Sequence, residues 1–446
     1  MLLVNFPVSI IPNKLQQWLL FILVVSCASL LYFYGTGLTP YYPLTWLAPV
    51  PVLWYMLSVK SRAPLVAGFL SYFFGSLNMF DYLSIHVPHV VIILTLVFQA
   101  LVFTFGLWLF SWGMNKNKFF GLLLLPSYWL GYECALASFS PHGTFGSLAY
   151  TQVDFIPFIQ MASITGIWGV VFCLLLVPTL IAMVLKEGRV YWLCLLFCVC
   201  VVLVPSWDML GDANQDQLNL KVGMIAADSL LTDFNSVDSA SANKVLSNYL
   251  SVADSLVKSG IDVLVLPEKI ITITDEYEAD IKQKLLEYTS KNKILLVIGA
   301  TLEIKNTKNN IAWVFDEGRL IGQYNKQHLV PGWESAYEKG EQLLTFSKWG
   351  KKIGVAICKD MDFPALSQAY EEQGVDLMLV PAWDFVKDAQ LHNNMARMRA
   401  IENRFAVVRV ASEGLLAIIN PDGQNHFYQE SFAGIKGVIG ELLLPR

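Results

Sequence analysis

"KKIGVAICKDMDFP", Lys351 to Pro364, starts as a β-branched apolar run and ends its apolar part on Cys358, the only cysteine in the last 246 residues. A short apolar run bounded by turn residues reads as a buried strand. Two other apolar runs end on polar chemistry in the same way: "VLVLPEKI" closes on Glu268 and "GQYNKQHLVP" carries Lys326 where its strand ends. In open α/β sheets, side chains at strand carboxyl ends converge on one crevice, so the three are expected to meet. Together they form a complete nucleophilic apparatus. A thiol is mostly protonated near neutral pH and needs a base or a cation beside it. Glu268 supplies the base, and Lys326 supplies positive charge for the thiolate and for an oxyanion.

The pattern around these strands is that of an α/β domain with a mixed sheet over residues 219–446, about 225 residues and large enough to bury its own core. "LKVGMIAA", "ILLVIGAT", "NIAWVFD", "LMLVPAW", "AVVRVAS" and "LLAIINPDG" read as further strands. Helices are expected at about 239–259, 276–290, 364–373 and 388–402. "FDEGRL" and "NPDG" read as hairpin turns. Residues 207–218 form a polar linker.

Before that linker the composition changes. The whole chain of 446 residues is 55% hydrophobic and 15% charged, yet residues 1–206 hold only 11 of the 67 charged side chains. Apolar segments at 15–34, 40–58, 64–80, 89–112, 119–138, 160–185 and 190–206 are each about long enough to cross a bilayer. Lys14, Lys60, Arg62, Lys116, Lys118, Lys186 and Arg189 all fall in alternate connections. The positive-inside rule therefore puts the amino terminus in the cytoplasm and the α/β domain outside. The loop "ASFSPHGTFGSLAYTQVDFIPFIQ", Ala137 to Gln160, reads as an interfacial loop or a substrate rim. The first part carries +3, which leaves −8 for the second out of the total of −5. An acidic domain without clustered cations argues against a nucleic-acid partner. Cys27, Cys134, Cys173, Cys194, Cys198 and Cys200 sit in apolar runs, and neither a disulfide framework nor a zinc-ligand spacing is visible.

"LPE", "YNKQHLVP" and "GVAICKD" resemble, in chain order, the Glu, Lys and Cys motifs of the nitrilase (carbon-nitrogen hydrolase) superfamily. With seven spans in front of them, and with "FGSLAYTQVDFIPFIQMASITGIWGV" and "ARMRAIENRFAVVRVASEGLLAIINPDGQ" alongside, they are similar to its membrane-bound, lipoprotein-acylating branch. That resemblance implies an α-β-β-α sandwich and an acyltransferase without a cofactor or metal. Its donor would be a membrane phospholipid and its acceptor the amino terminus of a diacylglyceryl-cysteine lipoprotein. It makes Cys358 the acyl-accepting nucleophile, Glu268 the general base and Lys326 the thiolate and oxyanion stabiliser. Glu334 matches a second glutamate of the family, while Asp360 stands where the family has Glu. Trp333, in the loop Gln327 to Gln342, is expected to act in a lid. A membrane bundle restricts the sheet-to-sheet assembly of soluble nitrilases, so a monomer is expected.

Overall fold

The computed structural model describes residues 14–188, 191, 192, 196, 217–229 and 238–445. They fall into two compact units: Met1–Ala135 with Gly146–Asp208, and Leu136–Phe145 with Met209–Arg446.

Among the described residues of the first unit and the segment that leaves it, five helical stretches are long and apolar enough to cross a membrane: Lys14–Gly35, Ala63–His86, His89–Lys116, Lys118–Phe139 and Ala162–Glu187. The expected second span, 40–58, is instead two short helices, Tyr42–Leu47 and Val50–Ser58. Proline explains the division. Pro49 and Pro51 have no N–H to give to the ladder, although Ala48 and Pro49 keep right-handed helical dihedrals across the break. Most of the expected seventh span, with its three cysteines, and most of the linker lie outside the described residues. Ser147 to Gln152, part of the predicted exterior loop, is buried rather than solvated. Trp46 Nε1 donates to Gln152 Oε1 at 2.7 Å, and Gln152 Nε2 donates to the Tyr42 carbonyl at 3.1 Å.

The second unit holds two sheets, as the family resemblance implied, where the strand pattern alone suggested a single mixed one. Its strands are β1 (Gln217–Ala226), β2 (Val263–Val265), β3 (Thr272–Thr274), β4 (Leu295–Ile304), β5 (Thr307–Asp316), β6 (Arg319–Asn325), β7 (Leu344–Lys348), β8 (Lys351–Val355), β9 (Leu377–Trp383), β10 (Ala406–Ser412), β11 (Leu415–Ile419), β12 (Asn425–Glu430) and β13 (Lys436–Pro445). One sheet runs β13-β1-β2-β4-β5-β6, with β3 paired to β4; the other runs β12-β11-β10-β9-β8-β7. Alternation builds the layers. Val222, Val263, Val297 and Val314 face Val355, Leu379, Val408 and Ile418 in a single core between the sheets. The opposite faces, through Leu264, Ile298 and Trp313 on one sheet and Met378, Val380 and Val407 on the other, pack against helices. Each buries both faces, so the domain is an α-β-β-α sandwich.

The four predicted helices form as Ser239–Lys258, Glu278–Asn292, Pro364–Glu371 and Ala389–Asn403. Asp238 caps the first by accepting from Ser241 N at 2.8 Å, and Ala242, Val245, Leu246, Tyr249, Ala253 and Leu256 place its apolar stripe on the sheet. The β5–β6 turn that "FDEGRL" predicts has positive φ at Glu317 and Gly318, as two-residue hairpin turns require.

Candidate active site

Glu268, Lys326 and Cys358 follow β2, β6 and β8 and are buried together. Glu268 sits three residues past β2, where its N–H donates to the Ala382 carbonyl of β9 at 3.2 Å. Gly299 makes that path open: a Cβ there would lie 2.4 Å from the Pro267 carbonyl oxygen, so only glycine lets β4 pass beneath the turn. Lys326 N donates to the Asn310 carbonyl at 2.9 Å, which aims its side chain inward as β6 ends. Cys358 opens a 3-10 turn, Cys358–Asp362, with φ +43. A left-handed dihedral at a non-glycine residue costs energy and survives where surroundings over-determine it.

The charges interlock. Lys326 Nζ donates to Glu268 Oε1 and to Glu334 Oε2, both at 2.9 Å. Lys269 Nζ donates to Glu334 Oε1 at 3.1 Å and stands 3.9 Å from Glu268 Oε1. Asn310 Nδ2 reaches both carboxylates, at 2.5 and 2.6 Å. Two cations thus balance two anions in a site that water barely enters; Lys326, Glu268 and Glu334 are each 1% exposed. Burial alone would raise Glu334, but Lys326, Lys269 and the Val330 N–H hold it down at about 2. Burial works against the charge of Lys326, and the Glu268 and Glu334 carboxylates more than offset it, pushing that lysine above its ordinary value.

Cys358 is set differently. Burial, then the nearby charge of Glu268, pushes its thiol up, while Lys326 opposes them. The resting group is therefore a thiol, and Sγ donates to the Trp383 carbonyl at 3.3 Å. Beyond it lies a buried pair, Asp384 and Arg409, with Nη1 to Oδ2 at 2.8 Å; Asp384 adds to the rise and Arg409 opposes it. Such an arrangement suits attack on a carbonyl carbon. A proton must pass from sulfur to a carboxylate as the bond forms, and a cation is fixed beside the developing charge.

The profile for the apolipoprotein N-acyltransferase N-terminal domain matches residues 28–180, and the carbon-nitrogen hydrolase profile follows it at residues 224–433. Over both of these segments the chain is similar to the apolipoprotein N-acyltransferase family. The family member from Geobacter metallireducens is 25% identical over 339 residues, 68% of this chain and 64% of the relative, so the match spans just under two thirds of that protein. The member from Aquifex aeolicus is 23% identical over 389 residues, 80% of this chain and 84% of its own. The crystal structure of Saccharomyces cerevisiae Nit3, from the nitrilase superfamily, aligns over 51% of this chain and 91% of its own at 23% identity and a TM-score of 0.42.

Of the residues singled out in the sequence, Glu334 accepts directly from Lys326 and is linked to Glu268 through Lys326 and Asn310. Asp360 touches none of the three side chains. Fully buried, it ties two loops together, accepting from Tyr324 Oη at 2.8 Å, His328 N at 2.8 Å, Gln327 N at 3.2 Å and Ile357 N at 3.1 Å. The turn bearing Cys358 is thereby stapled to the segment that follows Lys326. Trp333 is 63% exposed, its ring 5.4 Å from that of Phe385. Sequence reasoning passed over Lys269, Asn310, Asp384 and Arg409. Lys269 directly follows Glu268, and Asn310, Arg409 and Asp384 respectively open, interrupt and end an apolar run, which is the signal a reader could have used.

Proposed function

We propose that this chain transfers a fatty acyl group from a membrane phospholipid to the α-amino group of a lipoprotein's N-terminal diacylglyceryl-cysteine, through a thioester on Cys358. One observation carries the reading: a buried thiol beside a lysine held by two glutamates, in a chain that also bears the family's apolar N-terminal domain. In the first half-reaction the Cys358 proton passes to Glu268 as Sγ bonds to the ester carbonyl carbon. Lys326 stabilises the oxyanion. Collapse breaks the carbon–oxygen ester bond, the proton passes from Glu268 to the leaving alkoxide, and a lysophospholipid departs. In the second, the amine attacks the thioester carbonyl, loses a proton to Glu268, and expels the Cys358 thiolate, which recovers that proton.

Both substrates are lipid-anchored. Drawing an acyl chain out of a bilayer costs about 0.8 kcal/mol per methylene, which gives a membrane-borne enzyme an advantage over a soluble one. We read the site as lying outside the cytoplasmic membrane. The support is the charge pattern of the sequence: with 42–58 counted as one crossing and 190–206 as the expected last one, the cationic residues of the first part fall in alternate connections, as the positive-inside rule requires of the cytoplasmic face.

Mass spectrometry of the intact protein after incubation with phospholipid vesicles tests the proposal. A fatty-acyl adduct on Cys358, discharged by a diacylated lipopeptide that becomes N-acylated, is the expected result. Absence of the adduct overturns the proposal, and an adduct lost to water alone assigns the chain to hydrolysis, as in an amidase.

A further inference from the structure

Leu136–Phe145 belongs to the same compact unit as the sandwich, where it meets the end of the turn that carries Cys358 and, through Phe145, the His392 ring. Thr144 N donates to the Asp362 carbonyl oxygen at 3.0 Å, and Thr144 Oγ1 donates to the same oxygen at 2.7 Å. Gly143 has φ +57, and a Cβ on it would lie 2.6 Å from that oxygen and 3.1 Å from the Phe363 ring. A left-handed residue in so close an approach has to be glycine. Asp362 is the last residue of the Cys358–Asp362 turn and is itself fixed. Its carboxylate meets Lys359 Nζ and His392 Nδ1, each at 3.4 Å, and His392 Nε2 meets Asp388 at 3.4 Å on its other side. The turn is therefore held at two places: in its middle by the Asp360 carboxylate, and at its far end by the clasp on the Asp362 carbonyl. A strained dihedral at Cys358 needs such constraint from both sides.

We infer that the Gly143–Thr144 clasp is a positioning element for Cys358, fixing the far end of its turn without touching substrate. The inference rests on Cys358 being the nucleophile, and it gives "SPHGTFG" a role other than the interfacial loop or substrate rim expected from its composition. The test uses the full-length protein and two readouts. One is the pH dependence of Cys358 alkylation by iodoacetamide, followed by peptide mass spectrometry, which needs no substrate. The other is the kcat and KM of acyl-enzyme formation with phospholipid vesicles. Thr144→Val should shift the alkylation midpoint and lower kcat by about three- to tenfold, the scale of one lost buried hydrogen bond, with KM unchanged. Thr144→Ser, which keeps the hydroxyl, should restore both. An unshifted midpoint, or an effect on KM in place of kcat, overturns the inference, and the second of these returns the loop to the substrate rim. If wild-type Cys358 never takes up an acyl group, the acyl-transfer proposal falls, and the alkylation profile alone then judges the clasp. Should Thr144→Val fail to fold, Thr144→Ala is read in the same way.

Discussion

Two buried glutamates, one in each unit, behave as opposites. Glu133 lies in the helix Lys118–Phe139 and accepts only from neutral donors: Trp129 Nε1 at 2.8 Å, Ser147 Oγ at 2.5 Å and Leu148 N at 3.2 Å. Glu334 lies in a loop and answers two lysines, at 2.9 and 3.1 Å, with a thiol in electrostatic reach of the first of them. Burial is common to both. The partners differ, and partners decide whether a buried charge holds structure or prepares chemistry: neutral donors satisfy a carboxylate, while cations set up a field that a reacting group can use.

That contrast is broken most severely at the proposed nucleophile. Cys358→Ala should abolish the acyl adduct altogether, and comparable turnover in that variant rules out covalent catalysis at this site. Lys326→Met and Glu268→Gln remove the proposed oxyanion partner and base, and each should lower the rate of acyl-enzyme formation by on the order of a hundredfold or more. Lys326→Met also leaves two carboxylates in a dry site, so its melting temperature should fall further than that of Glu268→Gln; equal melting temperatures would deny the network its electrostatic character.

How much of this was legible beforehand follows from what sequence encodes locally. Strand ends were readable because β2, β8 and β9 lie in apolar runs that stop at a polar residue or the thiol, and β9 and β10 have the bounds their runs suggested. Glu268 and Cys358 were visible as such stops, and Lys326 as the residue that closes β6. The second sheet was legible only through the family resemblance and not from the strand pattern, because nothing local tells β6 and β7 that they belong to different sheets. Likewise β12 is largely exposed and lacks the apolar alternation that marks a strand, and β13 is recruited by β1 across the whole domain. Asn310 and Arg409 escaped notice for a related reason: their meaning lies in partners that only the fold brings near, Glu268 forty-two residues away and Asp384 twenty-five.

The two glutamates themselves give the next test. Glu334→Gln deprives Lys326 and Lys269 of a counter-charge and should cost about 3–5 kcal/mol of stability, as breaking buried pairs does. Glu133→Gln keeps an acceptor for Trp129 and Leu148 and should cost about 1 kcal/mol, with activity within about threefold of the parent. Equal losses would erase the distinction. Acid adds a second readout. Glu334 in the folded protein titrates at about 2, below its ordinary value of 4.5, so its contribution is present above pH 4.5 and is lost as pH falls from there toward 2. Thermal melts across that window should decline more steeply for the parent than for Glu334→Gln; parallel declines would mean that Glu334 titrates as an ordinary carboxylate.

The smallest effect belongs to the loop that carries Glu334. Asp360 pins its start through Gln327 and His328, Glu334 and Val330 bond to each other, Tyr337 Oη meets Thr301 Oγ1 at 3.1 Å, and Gly340 N returns to the Lys326 carbonyl at 2.9 Å. Pro331 to Trp333 form an exposed tip ahead of the buried Glu334, and Ser335, Ala336, Glu338 and Lys339 are exposed after it, so any lid is formed by these exposed stretches and not by the whole segment. Trp333 projects beside Phe385, two residues past the carbonyl that accepts the Cys358 thiol, and next to Val386, a β-branched residue held at φ +60 with its side chain 66% exposed. An apolar group there can keep water from a thioester without touching the reacting atoms. Trp333→Ala should therefore change stability by less than about 0.5 kcal/mol, as surface substitutions do, and leave acylation of Cys358 intact. Its effect should appear in partition: the ratio of free fatty acid released to lipopeptide acylated should rise a few-fold. An unchanged ratio would remove Trp333 from the path of the acyl group, and a large fall in melting temperature would make it a packing residue of the loop.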